Sequence, residues 1–336
     1  MMRTNQLNSH GFGVCARDHE KTHRSMSNGI VSITTSKGTK SQNKQKVKLF
    51  RQRMVPRIFL VVWNMLRNLD SFPKIRELLK AEPYFEMFQH NPRFVFKAFG
   101  QDYLARGLGS NQRVAAFLHH YMRLHTSFSK YKLKMLLNLD ILLYRVFESE
   151  NELSIRIITS RPHDKEGELS LLLMLNGSVL YTLAFTIVPG WVVSSESAES
   201  ILISRLQGSA GCYPDKLRIA TRLLCGVQPR AALLAALQGC ASAIAIEHLS
   251  SVSSGIQSSY EEGFGECFRN NYEGFFGERW GTSNWSGFLD CKLPVEERAI
   301  LSNDQGHRRR ARIRRASRKE IEASCCTTLR NIDFAK

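Results

Sequence analysis

The run with most chemical potential is Arg205-Leu-Gln207-Gly208-Ser209-Ala210-Gly211, which follows an apolar segment and precedes a helix opened by Pro214 and Asp215. Small residues at such a turn leave backbone N–H groups free to point at an anion. The dipole of the following helix favours negative charge at the same place. Arg205, Gln207, Gly208, Ser209, Ala210 and Gly211 are therefore the candidate phosphate-binding set. An ordinary tight turn between strand and helix would use the same residues.

Other groups carry less. His119, His120 and His125 share a helix, but spacings of five and six residues put neither pair on a common point, so no metal site is expected. Glu247 and His248 could do acid–base work, yet neighbours on a strand face opposite sides. Tyr260, Glu261, Glu262 and Tyr272 are acid–base candidates without a partner that the sequence names. No Gly-x-Ser-x-Gly elbow, Walker loop or dinucleotide fingerprint occurs. The run from His307 to Lys319 offers Arg308, Arg309, Arg310, Arg312, Arg314 and Arg315 to a phosphate-rich surface, whether RNA, DNA or an anionic leaflet. A solvated basic helix explains it equally well. The eight cysteines include no Cys-x-x-Cys pair and read as free thiols, with Cys325-Cys326 as a vicinal pair in a polar tail.

These residues need elements to hold them. Val114, Phe117, Leu118, Tyr121, His125 and Phe128 recur at helical spacing behind Asn111, and a second helix is expected over Tyr131 to Phe147. Ile75, Leu78 and Leu79 form a stripe on Pro73 to Lys80. Glu168 to Ile187 reads as two apolar strands about Asn176-Gly177, the strongest short hairpin signal. Strands are expected at Ile201 to Leu206 and Ile244 to Val252, with two helices between them, the first stopped by Gly226 and the second opened by Pro229. Phe268, Tyr272, Phe275 and Phe276 read as packing residues in an aromatic, Gly-rich stretch.

The predicted architecture is α/β (α+β). Residues 1–50 form a flexible basic leader, 51–150 a helical region, 151–306 a mixed-sheet domain and 307–336 a basic terminal helix. The chain carries a net charge of +17. Residues 1–57 hold twelve Lys and Arg against two acids, and 307–319 hold eight against none, so the middle of the chain is close to neutral. The 43% apolar content is that of a globular protein, and no stretch is long and apolar enough to span a bilayer. With no secretory h-region, the protein is expected in the cytoplasm or at the inner face of the inner membrane.

Three stretches resemble the VirK/YbjX family of enteric bacteria. They are Asp102 to His125, Gly167 to Ile187 and, most specifically, Ile201 to Gly239, with its Leu-Gln-Gly turn and the element Gly226, Pro229, Arg230. Leu293-Pro294 and the Arg-rich end also fit, while Ser253-Ser254-Gly255-Ile256 and Phe276 depart from the family pattern. The resemblance implies a role in virulence, in display of an outer-membrane virulence protein and in resistance to envelope stress. It implies no activity. The spacing of Arg205 to Ala210 also resembles the pyrophosphate loop of GNAT acyltransferases, which implies acyl-CoA as a ligand. An acyltransferase-like enzyme, an RNA-binding regulator working through the basic ends, and a non-catalytic adaptor for surface-protein assembly all follow from these readings.

Overall fold

The computed structural model describes residues 59–91, 93–160, 165–209, 214–260 and 304–332, and between them a scatter that includes 272–277 and 286–295. The expected leader at 1–50, Phe268, Glu261 and Glu262 lie outside these residues. The protein is α/β. Seven strands form one sheet in chain order: β1 Ile141–Glu148, β2 Asn151–Thr159, β3 Leu169–Leu175, β4 Ser178–Pro189, β5 Glu199–Gly208, β6 His248–Val252 and β7 Phe288–Lys292. All neighbours are antiparallel except β5 and β6.

Helices precede the sheet: α1 (59–67), α2 Phe72–Lys80, α3 Glu82–His90, α4 Arg93–Phe96, α5 Ser110–Ser127 and α6 Lys130–Asn138. Two more, α7 Pro214–Leu223 and α8 Pro229–Ala243, make the crossover from β5 to β6, and α9 Gln305–Arg330 ends the fold. Thr182 to Val188 of β4 are buried without alternation, as in strands covered on both faces. Both α5 and α8 pack on β4, and α9 packs on α8 and β1.

Local chemistry explains much of this. Asn176 and Gly177 both take positive φ, 49° and 75°, as a two-residue hairpin with this strand twist requires. Gly226, at φ 85°, ends α7, and Pro229 opens α8. Arg230 of that same motif lays its guanidinium over the Phe275 ring, 5.1 Å from its centre. The N-cap of α5 is Gly109 rather than Asn111, and the Gly109 N–H donates to Gln112 Oε1 at 2.7 Å.

One element differs from expectation. The second helix stops at Asn138, and Ile141–Glu148 is the first strand of the sheet. No Gly or Pro marks that break. The strand forms because its backbone pairs with β2, a tertiary effect that outweighs helical propensity. Cys325 is likewise no tail residue. It is buried on α9, where burial and then the neighbouring Cys326 push its thiol up to about 12.

No helix among the described residues is long and apolar enough to cross a membrane.

Candidate functional site

β5 and β6 stay together for three residues only, Ile201 to Ile203 opposite Leu249 to Ser251. Beyond that point β5 runs on through Ser204 to Gly208 with β4 as its strand partner. The departure coincides with a β-bulge. Ile203 pairs with Phe185 and Arg205 with Ala184, which leaves Ser204 as the extra residue. A bulge re-aims side chains, and the hydroxyl of Ser204, fully buried, finds no hydrogen-bond partner among the described residues.

Groups from distant parts of the chain surround this end of β5. The Arg205 guanidinium pairs through Nη1 with Glu166, while its buried Nε has no partner among the described residues. Glu166 also accepts from Gln257 Nε2 at 2.8 Å and Ser259 Oγ at 2.6 Å. Burial pushes the Glu166 carboxyl up, but the Arg205 charge and the hydrogen bonds from Ser259, Arg205 and Gln257 outweigh it and leave it below the usual carboxylate range. The segment carrying Gln257 is pinned by Arg106, whose Nη2 donates to Tyr260 O at 2.7 Å. Behind the strand, the Leu206 N–H donates to the buried Tyr272 hydroxyl at 3.3 Å. Burial, and then the Glu166 charge among lesser causes, holds that phenol well above its ordinary value.

A second carboxylate lies two residues along. Glu168 is buried and accepts from Lys97 Nζ at 2.6 Å and from the Tyr103 and Tyr121 hydroxyls. Burial and then the Glu168 charge raise the Tyr121 phenol far above its ordinary value. Between the two acids, any side chain at Gly167 would meet the Phe185 nitrogen of β4 at 2.7 Å, so only glycine lets the chain pass there.

The structure thus brings Arg205, Gln207, Gly208 and Ser209 together at the end of β5, ahead of α7. Ala210 and Gly211 lie outside the described residues. Arg205 is engaged by Glu166 rather than turned to solvent. Glu166, Gln257 and Ser259 were not expected from sequence; the pattern Glu-Gly-Glu ahead of an apolar strand was the signal available.

The other candidates separate. The His120 Nδ1 accepts the Ile187 N–H at 3.1 Å, while His119 meets Glu199 at 3.1 Å, so the two imidazoles serve different contacts. His248 is half-buried with Nδ1 3.5 Å from Asp290, and Glu247 is exposed just before the strand. Of the basic run, Arg308, Arg309, Arg310 and Arg312 are exposed. Arg315 pairs with Glu297, and the stem of Arg314 lies over Gly226. Four of the six arginines are thus exposed and two are half-buried.

A family model described as "Protein of unknown function (DUF535)" matches residues 51–318. No curated protein and no solved structure matches the chain.

Proposed function

The chain belongs to the DUF535 family, whose function is unknown, and from that premise we propose that it is an acyl-CoA-binding, acyltransferase-like protein that serves the bacterial envelope. The observation that carries this reading is the early parting of β5 from β6 at the Ser204 bulge. Ligands of open α/β sheets sit outside the carboxyl ends of parallel strands, where the chain changes direction. Here that end leads through Gly208 and Ser209 into α7, the turn whose spacing suits a pyrophosphate.

The roles divide accordingly. The Ser209 N–H is already taken by Leu180 O at 2.9 Å, so the phosphates would fall to the N-terminus of α7. A carboxylate held below its usual range is a weak base, so Glu166 and Arg205 are assigned to positioning the strand end rather than to proton transfer. The resemblance to the VirK/YbjX family supports an envelope component, or a protein displayed at the surface, as the acceptor.

Thermal unfolding with acetyl-CoA and with a long-chain acyl-CoA tests the reading. A ligand at a hundred times its dissociation constant adds about 2.7 kcal/mol of stability, a rise of several degrees for a chain of this size. Gly208→Asp should abolish the shift, judged against the variant's own baseline because a Cβ there would meet the Tyr181 ring at 3.3 Å. Absence of a shift with both ligands would reduce the segment to a structural turn.

The exposed Arg308, Arg309, Arg310 and Arg312 favour a second reading, an RNA-binding regulator, with counterion release as its source of affinity. The adaptor reading remains if both fail.

A further inference from the structure

The helix α1 presents apolar residues on both sides. Toward the protein, Val61 and Met65 pack on the core beside Asn64, which is 7% exposed and donates to Phe99 O at 2.9 Å, and the adjoining Asn68, 8% exposed, donates to Ser110 Oγ at 2.6 Å. Its outward residues are apolar: Phe59 is 66% exposed, Val62 47%, Trp63 50% and Leu66 56%. At 3.6 residues per turn these four fall within about 100° of the helix circumference, opposite the two asparagines. The stripe continues past the helix through Leu69 and Phe72, both exposed. Single exposed apolar residues are ordinary, but a continuous row of six on an element whose inner face is already packed marks a surface that binds something.

The charge that precedes it in the sequence points to the partner. Residues 46–57, directly ahead of the stripe, carry Lys46, Lys48, Arg51, Arg53 and Arg57 and no acid. A second copy of the chain on the stripe would bring two such basic segments together, whereas a bilayer with anionic headgroups accepts aromatic residues and cations at once. We infer that α1 and its continuation to Phe72 lie in the interface of an anionic membrane, with Phe59, Trp63 and Leu66 inserted among the acyl chains. Because no described helix can span a bilayer, the contact is peripheral. This inference is independent of any ligand at the end of β5.

Flotation of the full chain with vesicles of phosphatidylcholine alone, and with added phosphatidylglycerol, tests it. The chain should float with the anionic vesicles, and Trp63→Glu with Leu66→Glu should lower the bound fraction at least tenfold. These side chains are exposed, so an unchanged unfolding midpoint in the absence of lipid will show that the variant is folded. Equal binding by the variant would assign any attachment to the basic ends alone and overturn the inference. So would failure of the wild type to float. A dimer in lipid-free solution that the variant dissolves would assign the stripe to a second copy. Protection of Trp63 from acrylamide quenching in lipid-free monomer would assign it to the chain's own first residues.

Discussion

Glu166 and Glu168 stand two residues apart and are both buried, yet opposite parts of the chain neutralise them: Arg205, Gln257 and Ser259 hold the first, and Lys97, Tyr103 and Tyr121 the second. The entrance to β3 is therefore a polar seam between the helices before the sheet and the segment after β6. Breaking one half leaves a buried charge without its counterpart. Glu168→Gln strands Lys97 and should cost about 3 to 5 kcal/mol, while adding Lys97→Met should recover more than half of that. Urea unfolding of the two variants measures both values.

His120 gives the fold a sensitivity to mild acid. Its imidazole is fully buried with Nδ1 taken by the Ile187 N–H, and burial, then Lys97 and His119, hold its pKa well below 6.5. In the unfolded chain the ring binds a proton near pH 6.5, and in the folded chain it does not, so stability is full above that pH and falls as pH drops below it. The loss should be about 1.4 kcal/mol per pH unit until the folded ring titrates or the carboxylates begin to. In His120→Asn the slope between pH 6.5 and 5.5 should flatten by one proton's worth, read from unfolding free energies across that range.

Gly239 sets the distance between α8 and α9. A Cβ there would meet Glu322 O at 2.2 Å and Cys325 Cβ at 3.0 Å. Gly239→Ala should destabilise by about 1 to 3 kcal/mol although alanine is the better helix former, because the packed helices must separate. Thermal unfolding decides it, with the exposed Gly306→Ala as the control.

The basic helix holds exposed arginines and half-buried ones. Arg308→Glu with Arg312→Glu should weaken retention on heparin or RNA and leave the unfolding midpoint within about 1 °C, since surface substitutions of this kind change stability little. Arg315→Glu should instead lower the midpoint by placing a second carboxylate face to face with that of Glu297. If all three act alike on retention, the helix works as an undivided polyelectrolyte.

Local rules made several elements readable in advance. Asn176-Gly177 names its hairpin because few other pairs accept both positive φ values, and Gly226 with Pro229 punctuates the crossover for equally local reasons. Ile141–Glu148 escaped because an apolar run without Gly or Pro suits helix and strand alike, and only pairing with β2 decides between them. The end of β5 was half legible: the small residues showed a turn, but Arg205 meets Glu166 from 39 residues away and Glu166 meets Gln257 across 91. Periodicity carries no information about such pairings. The outward apolar stripe of α1 was hidden for a similar reason, since a stripe of Phe, Val, Trp and Leu reads as a core face until its neighbours are known.

The far end of α9 closes on the first strand. Ser324 and Thr328 both donate to the carbonyl of Leu143, across 181 and 185 residues of chain, and Ile321, Cys325 and Leu329 are buried in the shared core. On the ribosome, β1 must wait for its cover until α9 has left the exit tunnel, so the growing chain carries an open apolar flank across the 181 residues that separate Leu143 from Ser324. A stop codon a few turns into α9 would then leave β1 uncovered in every chain made, and chaperones have most to do before α9 emerges.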